Sequence, residues 1–342
     1  MRRLTFSLSL LTLLAALALP ACSDQNKPAS STASASTTAP IKVLIIDGQN
    51  NHKWDITTPV LKNALESAGA FEVSVSTAPP KKSAPEAWAA WSPKFSDYAA
   101  VISNYNGDDW PQTVRESFAA YVKNGGGFVA VHAANNSFGE WPEYNQMIGV
   151  GGWGGRSEKS GPWIYVKDGQ LFRDTSVGNA GAHGPQHEFV VEVSAIEHPI
   201  TKGLPKKWMH AKDELYSRLR GPAENIQVLA SAKSDLTNEN EPSLMVLSYG
   251  KGRVFHTTLG HADYSMLCRD FYETFQRGTE WAATGAVVRT ADLPKDFPGE
   301  DKVAVVNLEG YPKQVPPVPA PAKPAEPAPV ATPAAPAPAA AK

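Results

Sequence analysis

Hydrophobic and polar positions follow two periods along the chain and predict alternating strands and helices in its first half. Short, almost wholly apolar runs are typical of strands buried on both faces of a parallel sheet. The predicted strands cover residues 41–46, 71–76, 98–103 and 128–131. Helical periods lie between them, from Val60 to Ala68 after a cap at Thr58-Pro59, and from Val114 to Lys123. This order predicts an open parallel sheet with helices on both faces.

The second half of the chain predicts an antiparallel section. Strand-like runs lie at residues 163–166, 188–193, 226–230 and 244–249. Gly250-Lys251-Gly252 then leads into an apolar run at 253–259, a pattern typical of a β-hairpin. A last amphipathic helix is predicted at 266–281. Because no linker-like composition divides the middle of the chain, we expect one α/β domain at 41–311.

The first 22 residues predict a secretory signal. A basic start is followed by an apolar run at 4–19 that is too short for a membrane span. Leu19-Pro20-Ala21-Cys22 is similar to the lipobox of bacterial lipoproteins, so we expect Cys22 to carry the lipid. Ser23 follows it, and a residue other than Asp there favours the outer over the inner membrane. The expected location is the bacterial cell envelope, lipid-anchored and facing the periplasm.

The composition of the two flanks limits the folded part. Residues 23–40 are rich in Ser, Thr and Ala without a hydrophobic period, which is typical of a disordered tether. Residues 312–342 are almost entirely Pro and Ala and have too few large apolar side chains for a core. The formal net charge of −2 gives no basic field for phosphate backbones. A nucleic-acid partner is therefore not expected.

Polar loops follow four of the predicted strands, and three of these loops carry a histidine. The loops lie at 47–54, 104–110, 132–136 and 260–263. Their histidines are His52, His132 and His261. Since ligands of open α/β sheets bind beyond the carboxyl ends of the strands, we expect His132 and His261 to converge in one crevice.

Four segments carry a resemblance to a known family. They are Gly125-Gly126-Gly127-Phe128-Val129-Ala130-Val131-His132, His198-Pro199-Ile200-Thr201-Lys202-Gly203-Leu204-Pro205, Asp213-Glu214-Leu215-Tyr216, and Gly250-Lys251-Gly252-Arg253-Val254-Phe255 with Leu259-Gly260-His261. In this order they resemble the ThuA-like (trehalose-utilisation) family over residues 41–285. The resemblance implies the class I glutamine amidotransferase-like fold, which is a flavodoxin-like, open and mostly parallel sheet.

The same resemblance limits the chemistry. Glutamine amidotransferases have a cysteine on the strand-to-helix turn where this chain has His132. Without a thiol there, the thiolate chemistry of glutamine hydrolysis is excluded. The resemblance implies carbohydrate metabolism instead, through a glycoside or a 3-keto-glycoside made by a partner sugar dehydrogenase. Hydrolysis, elimination and isomerisation all remain open as the reaction.

Four residues are the catalytic candidates. We expect His132 and His261 to be an acid/base pair, with Asp263 orienting His261. Glu214 is a candidate acid/base or metal ligand, or a residue that merely caps a turn. His132, His261 and Glu214 together would suit a catalytic zinc ion with an open position, although no tight His pair prepares such a site in the sequence.

Polar and aromatic residues of these loops, and Trp153 in the glycine-rich segment 151–156, are the candidates for binding a sugar. They are His52, Trp54, Tyr105, Trp110, Asn135 and Trp153. Aromatic faces suit the apolar faces of a sugar ring, but nine tryptophans also suit an ordinary core. The pair His183 and His187 has a metal-like spacing, yet one short loop does not make a site. A tethered sugar-binding module without turnover is the alternative to an enzyme.

The lipid anchor is tested by the variant Cys22→Ser. We expect this variant to move from the membrane fraction to the soluble periplasmic fraction, because it removes the only predicted attachment point. Fractionation of the expressing bacterium followed by immunoblotting measures the change, and Cys268→Ser is the control that leaves the predicted anchor intact. Membrane association of Cys22→Ser equal to that of the parent would contradict the lipoprotein prediction.

Overall fold

The computed structural model describes residues 39–308. The predicted signal peptide with Cys22, almost all of the predicted tether, and the Pro/Ala-rich tail lie outside the described residues. Among the described helices, none combines the length and the apolar character needed to cross a membrane.

The described elements extend from Ile41 to Thr284 and begin with the predicted βα order. The strands are β1 (Ile41–Asp47), β2 (Phe71–Thr77), β3 (Ala100–Ser103), β4 (Gly127–Val131), β5 (Trp163–Lys167), β6 (Gln170–Asp174), β7 (Ala182–His183), β8 (His187–Val193), β9 (Lys207–Asp213), β10 (Tyr216–Ser217), β11 (Gln227–Lys233), β12 (Asn240–Tyr249) and β13 (Gly252–Thr257). The helices are α1 (Trp54–Ser67), α2 (Pro85–Ala90), α3 (Gln112–Lys123), α4 (Pro142–Ile148), α5 (Asp263–Met266) and α6 (Arg269–Thr284). Short 3₁₀ turns lie at Phe95–Asp97, His132–Asn136 and Glu158–Ser160.

One sheet combines a parallel and an antiparallel half. Strands β2, β1, β3, β4 and β13 are neighbours in that order and pair in parallel. This is the strand order of the flavodoxin-like fold, which confirms the predicted fold class. Beyond β13 the sheet continues through β12, β11, β8 and β9, and all of these pairs are antiparallel. The turn at residues 250–251 makes the predicted hairpin between β12 and β13.

The core lies on both faces of the parallel strands, because successive side chains of a strand point to opposite faces. In β1, Val43 and Ile45 belong to the cluster that packs under α1 and α6. Leu44 and Ile46 belong to the cluster on the other face, under α3 and α4. All four side chains are buried, and this explains why the run is apolar without alternation.

Several boundaries differ from the sequence prediction. Helix α1 begins at Trp54, one turn before the expected cap, because the carbonyl of Lys53 accepts the amides of Ile56 and Thr57. Pro59 therefore lies inside the helix. The last predicted helix is divided into α5 and α6, and Cys268 caps α6 as a buried residue. Strand β9 has no counterpart in the prediction.

Gly278 lets helix α6 approach the sheet closely. A Cβ atom at this position would overlap the buried ring of Phe255 in β13. We expect Gly278→Ala to lower the free energy of unfolding by about 1–2 kcal/mol, because overpacking a core costs about 1–3 kcal/mol and the helix propensity of Ala returns up to about 1 kcal/mol. The midpoint of urea unfolding measures this.

Gly184→Ala is the matched control for this change. A Cβ at Gly184 meets no atom within 4 Å, so its unfolding midpoint should stay near that of the parent. Equal midpoints for Gly278→Ala and the parent would contradict the packing argument.

Candidate functional site

Four side chains from distant parts of the chain meet at the carboxyl edge of the parallel strands. They are His52 after β1, His132 after β4, Glu214 after β9 and His261 after β13. Each follows a strand directly or within a few residues, so the sheet fixes the position of its backbone. Their ligand atoms all lie within 4.8 Å of one another.

The three imidazole rings surround the carboxylate of Glu214. The ring centroids of His132 and His261 are 5.7 Å apart, so the structure brings together the two histidines that were expected to converge. His52 lies 5.0 Å from His132 and 4.4 Å from His261. Oε2 of Glu214 lies 3.0 Å from Nδ1 of His261 and 3.6 Å from Nε2 of His132.

His132 has a fixed tautomer and a strained backbone. Its φ of 46° places it in the left-handed region, which is rare for a residue with a side chain. Its Nδ1 atom lies 2.6 Å from the carbonyl oxygen of Thr258, which only accepts, so Nδ1 carries the proton. In the neutral ring, Nε2 therefore presents its lone pair to the carboxylate of Glu214. Two lone pairs repel each other unless a cation or a proton lies between them.

The members of the cluster shift the pKa values of Glu214 and His52. Burial would raise the pKa of Glu214, but its hydrogen-bonding and electrostatic contacts with His132 and His261 hold it well below its usual range. Burial and the two neighbouring histidines lower the pKa of His52 to about 3. The carboxylate is therefore ionised at neutral pH, and His52 is neutral. Such a cluster is an attractive site for a positive ion.

The donor set fits a divalent metal ion. Nε2 of His132 and Nδ1 of His261 are buried atoms that face the carboxylate of Glu214, at 3.6 and 3.0 Å. Both point to the same carboxylate oxygen, and His52 completes the group. Bonds of about 2.0–2.2 Å hold two ligand atoms at most about 4.4 Å apart, so an ion would draw this group, whose atoms lie within 4.8 Å of one another, slightly together. Three imidazoles and one carboxylate are ligands that zinc and similar metals accept.

A polar cavity of about 390 Å³ opens next to the cluster. His52, Glu214 and Tyr216 form its floor on the side of the cluster, and the remaining walls are amide, aromatic and glycine residues. These are Asn51, Asn106, Asn136, Trp153, Gly154 and His183. A second cavity of about 420 Å³ lies on the other side of His52 and is lined by Trp54 and His261 among others.

Two residues near strand β7 complete the surroundings of Glu214. His183 is partly exposed, and its Nε2 atom lies 3.8 Å from Oε1 of Glu214. Gln186 contacts Nε2 of His261 through its side-chain amide at 2.9 Å and accepts the hydroxyl of Tyr264 at 2.7 Å. The same amide nitrogen lies 3.4 Å from Oε1 of Glu214, so Gln186 contacts both His261 and Glu214.

The structure separates the expected sugar-binding residues into two groups. His52 and Trp153 line the first cavity, and Trp54 lines the second. Tyr105 and Trp110 are instead buried in an aromatic core with ring centroids 5.6 Å apart, and neither lines these cavities. Asn135 is fully buried, with its side-chain amide 3.0 Å from Nε2 of His256. These three side chains complete the core beneath the loops and line neither cavity.

Asp263 does not have the expected position beside His261. It is buried as the first residue of α5, where its carbonyl accepts the amide of Leu267. The carboxylate in contact with His261 is that of Glu214. The turn into α5 explains the difference, because it separates the side chains at positions 261 and 263.

Sequence reasoning did not single out several residues of the site. Tyr216, whose ring lies 4.1 Å from that of His132, belongs to the Asp213-Glu214-Leu215-Tyr216 motif. Asn51, Asn106 and Asn136 lie in the strand-end loops, so the strand-end rule already points to them. In the sequence, the only signal for His183 is its spacing from His187. In the structure His187 contacts the carbonyl of Pro185 instead of Glu214.

Comparisons with known proteins agree with this architecture. The sequence profile of the ThuA family, described as trehalose utilisation, matches residues 42–282. A ThuA-like protein from Parabacteroides merdae ATCC 43184 is 46% identical, with a TM-score of 0.75 over 78% of this chain and 98% of that chain. A ThuA-like protein from Bacteroides uniformis ATCC 8492 is 19% identical, with a TM-score of 0.50 over 74% of this chain and 97% of that chain.

None of the curated proteins matches this chain. The profile match covers more than two thirds of the sequence, and the Parabacteroides merdae protein shares nearly half of the aligned residues over almost its full length. The chain therefore belongs to the ThuA, or trehalose-utilisation, family.

Proposed function

We propose that this protein is a metal-dependent enzyme that acts on a glycoside or a 3-keto-glycoside. The proposal depends on one observation: three imidazoles converge on one ionised carboxylate at the edge of a polar cavity. His52, His132, Glu214 and His261 would hold the ion. When bound, a divalent metal would supply a Lewis acid that polarises a carbonyl or hydroxyl oxygen of the substrate.

The walls of the first cavity support a sugar as the substrate class. Its volume of about 390 Å³ lies in the range of about 300–1,000 Å³ that is usual for small-ligand sites. Asn51, Asn106 and Asn136 offer both donors and acceptors, which match the hydroxyl groups of a sugar. Trp153 and Tyr216 pack at 4.8 Å and add apolar ring surface. A keto-sugar would be supplied by a partner sugar dehydrogenase.

His183 is the group best placed to move a proton. Its Nδ1 atom contacts the carbonyl oxygen of Gly184 at 2.9 Å and must carry the ring proton, because a carbonyl only accepts. Its Nε2 lone pair is therefore free to accept a proton inside the cavity, where the ring lies beside Trp153. The other three imidazoles belong to the group around Glu214, whereas His183 is partly exposed and its Nε2 atom lies 3.8 Å from Oε1 of Glu214. We assign the general base to His183 and the metal ligands to the buried group.

The proposed location follows from the leader sequence. Lipidation at Cys22 would attach the domain to the cell envelope, with the cavity facing the periplasm. A sugar entering the periplasm would then reach the cavity before uptake.

The metal site is tested by the composition of the purified protein. We expect the full chain, purified in mild detergent without chelator, to hold about one divalent metal ion per chain. His132→Ala and Glu214→Gln should each weaken metal affinity by about 100-fold or more, since even residues that only support ligands change affinity by about 10–100-fold. Elemental analysis by mass spectrometry and titration of the metal-free protein measure both quantities.

His187→Ala is the control, because this neighbouring histidine lies outside the cluster. Its metal content should equal that of the parent. A parent protein that takes up no zinc, manganese or cobalt after dialysis would overturn the metal-dependent function.

Turnover is tested with 3-keto-trehalose and 3-keto-glucosides, and with trehalose itself. We expect product by chromatography from the metal-loaded parent. His183→Gln should lower kcat by about 10²–10⁴-fold, the usual contribution of a general base, with metal content unchanged. His187→Gln should leave kcat unchanged.

Two results would contradict this assignment. Full activity of His183→Gln would remove His183 from the reaction. Tight binding of these sugars by the metal-loaded parent without any product would instead favour a sugar-binding module without turnover.

A further inference from the structure

A charged network without solvent exposure lies behind the metal-ligand cluster. It consists of His210 and Asp213 in β9 and Asp270 in the first turn of α6. All three side chains are fully buried. None of them lines either cavity beside the cluster, so the network does not contact a ligand bound there.

His210 is held between the two carboxylates. Its Nδ1 atom lies 2.8 Å from Oδ2 of Asp270, and its Nε2 atom lies 2.9 Å from Oδ2 of Asp213. An ionised carboxylate only accepts, so both ring nitrogens donate and the ring is an imidazolium. Burial alone would lower the pKa of His210, but the two aspartates outweigh burial and raise it well above its usual range.

The carboxylate of Asp213 also accepts hydrogen bonds from three backbone amides. Its Oδ1 atom accepts the amides of Glu214 at 2.8 Å and His261 at 3.0 Å. Its Oδ2 atom accepts the amide of Gly260 at 2.7 Å. One carboxylate therefore holds two segments that are 47 residues apart in the sequence, and each segment carries a ligand of the proposed metal site.

The turn at Gly260 needs this support. Its φ of +106° is a conformation that only glycine adopts readily, and a Cβ atom there would lie 2.9 Å from the ring of Phe271. A buried amide in such a turn has no regular secondary-structure partner, and an unpaired one costs about 1–3 kcal/mol. Asp213 provides the acceptor for this amide and for the amide of His261.

We propose that Asp213, clamped by His210 and Asp270, is a positioning residue that sets the distance between the metal ligands Glu214 and His261. The proposal rests on the proposed metal-dependent function and goes beyond it, because it assigns a task to residues that touch neither metal nor substrate. The imidazolium fixes the carboxylate, the carboxylate fixes two backbone segments, and these segments fix two ligands. Metal affinity should therefore depend on a network that never contacts the metal.

The test compares Asp213→Asn with a matched variant elsewhere in the chain. Glu280 is also buried and also accepts three backbone amides, at 2.8–3.1 Å, but from Val288, Arg289 and Thr290, which carry no ligand. Glu280→Gln therefore removes the same kind of contact without disturbing the metal site. Both variants, in the full chain, are freed of metal and titrated with Zn²⁺ and Co²⁺.

We expect Asp213→Asn to weaken Zn²⁺ affinity by about 10–100-fold and to change the visible absorption of bound Co²⁺, which reports ligand geometry. Glu280→Gln should keep the affinity and spectrum of the parent, although its melting temperature falls. Asp270→Asn changes the outer clamp, which contacts both His210 and the indole N–H of Trp208, leaves the three amides on Asp213 in place, and should give a smaller loss of affinity. This second variant provides the measurement if Asp213→Asn does not fold.

The outcomes separate this inference from the proposed function. If the parent binds no metal, the proposed function is overturned and the positioning role falls with it. If the parent binds metal and folded Asp213→Asn or Asp270→Asn binds it with the same affinity and the same Co²⁺ spectrum, only the positioning role is overturned. An equal loss of affinity in Glu280→Gln would also overturn it, because the effect would then be one of general stability.

Discussion

The contact between Glu214 and the histidines around it joins the two halves of the sheet. The histidines follow parallel strands, whereas Glu214 follows β9, the outermost strand of the antiparallel extension. A buried carboxylate is costly unless it is paired, and Glu214 is paired only when the antiparallel half packs over the parallel edge. The site therefore forms only when the two halves of the sheet assemble.

The turn at His132 shows how one fold can carry different chemistry. The positive φ of this residue places its side chain at the end of β4, where amidotransferases have their nucleophile. An imidazole at this point can act as a metal ligand or a base, but it cannot supply the thiolate of the amidotransferases. The one free cysteine among the described residues, Cys268, is buried, and burial raises the pKa of its thiol to about 11. The thiolate chemistry of the related enzymes is thus absent from both places.

The sequence predicts the parallel half of the fold and its histidines well, because both depend on local patterns. Apolar runs identify β1 and β4, and the residues that follow each strand lie at the same edge. The sequence could not separate aromatic residues that line a cavity from those that belong to the core. Tyr105 and Trp153 both lie in predicted loops, yet Tyr105 completes the core and Trp153 lines the cavity. The difference depends on packing between distant segments, which periodicity does not contain.

The antiparallel strands were harder to predict from the sequence, because their positions also depend on packing between distant segments. Strand β9 alternates irregularly in burial, and its position is set by pairing with β8 rather than by its own pattern. His210, in the middle of β9, gave no signal before its two aspartates were placed beside it. Asp263 gave the opposite error, since its closeness to His261 in sequence suggested a contact that the start of α5 prevents. Short spacing is a weaker guide than the end of a strand.

The glycine-rich segment 151–156, which carries Trp153, forms a rigid wall of the cavity. The guanidinium of Arg156 is buried and donates to the carbonyls of Asn136, Ser137 and Gly152 and to the side chain of Asn145. Burial lowers the pKa of Arg156 only to about 10, so the group stays charged at neutral pH. A charged donor with this many partners is expensive to release, because each hydrogen bond to a charged group contributes about 1.5–3 kcal/mol. The glycines therefore allow the segment to turn tightly, while Arg156 fixes it, and the cavity is formed before any ligand enters.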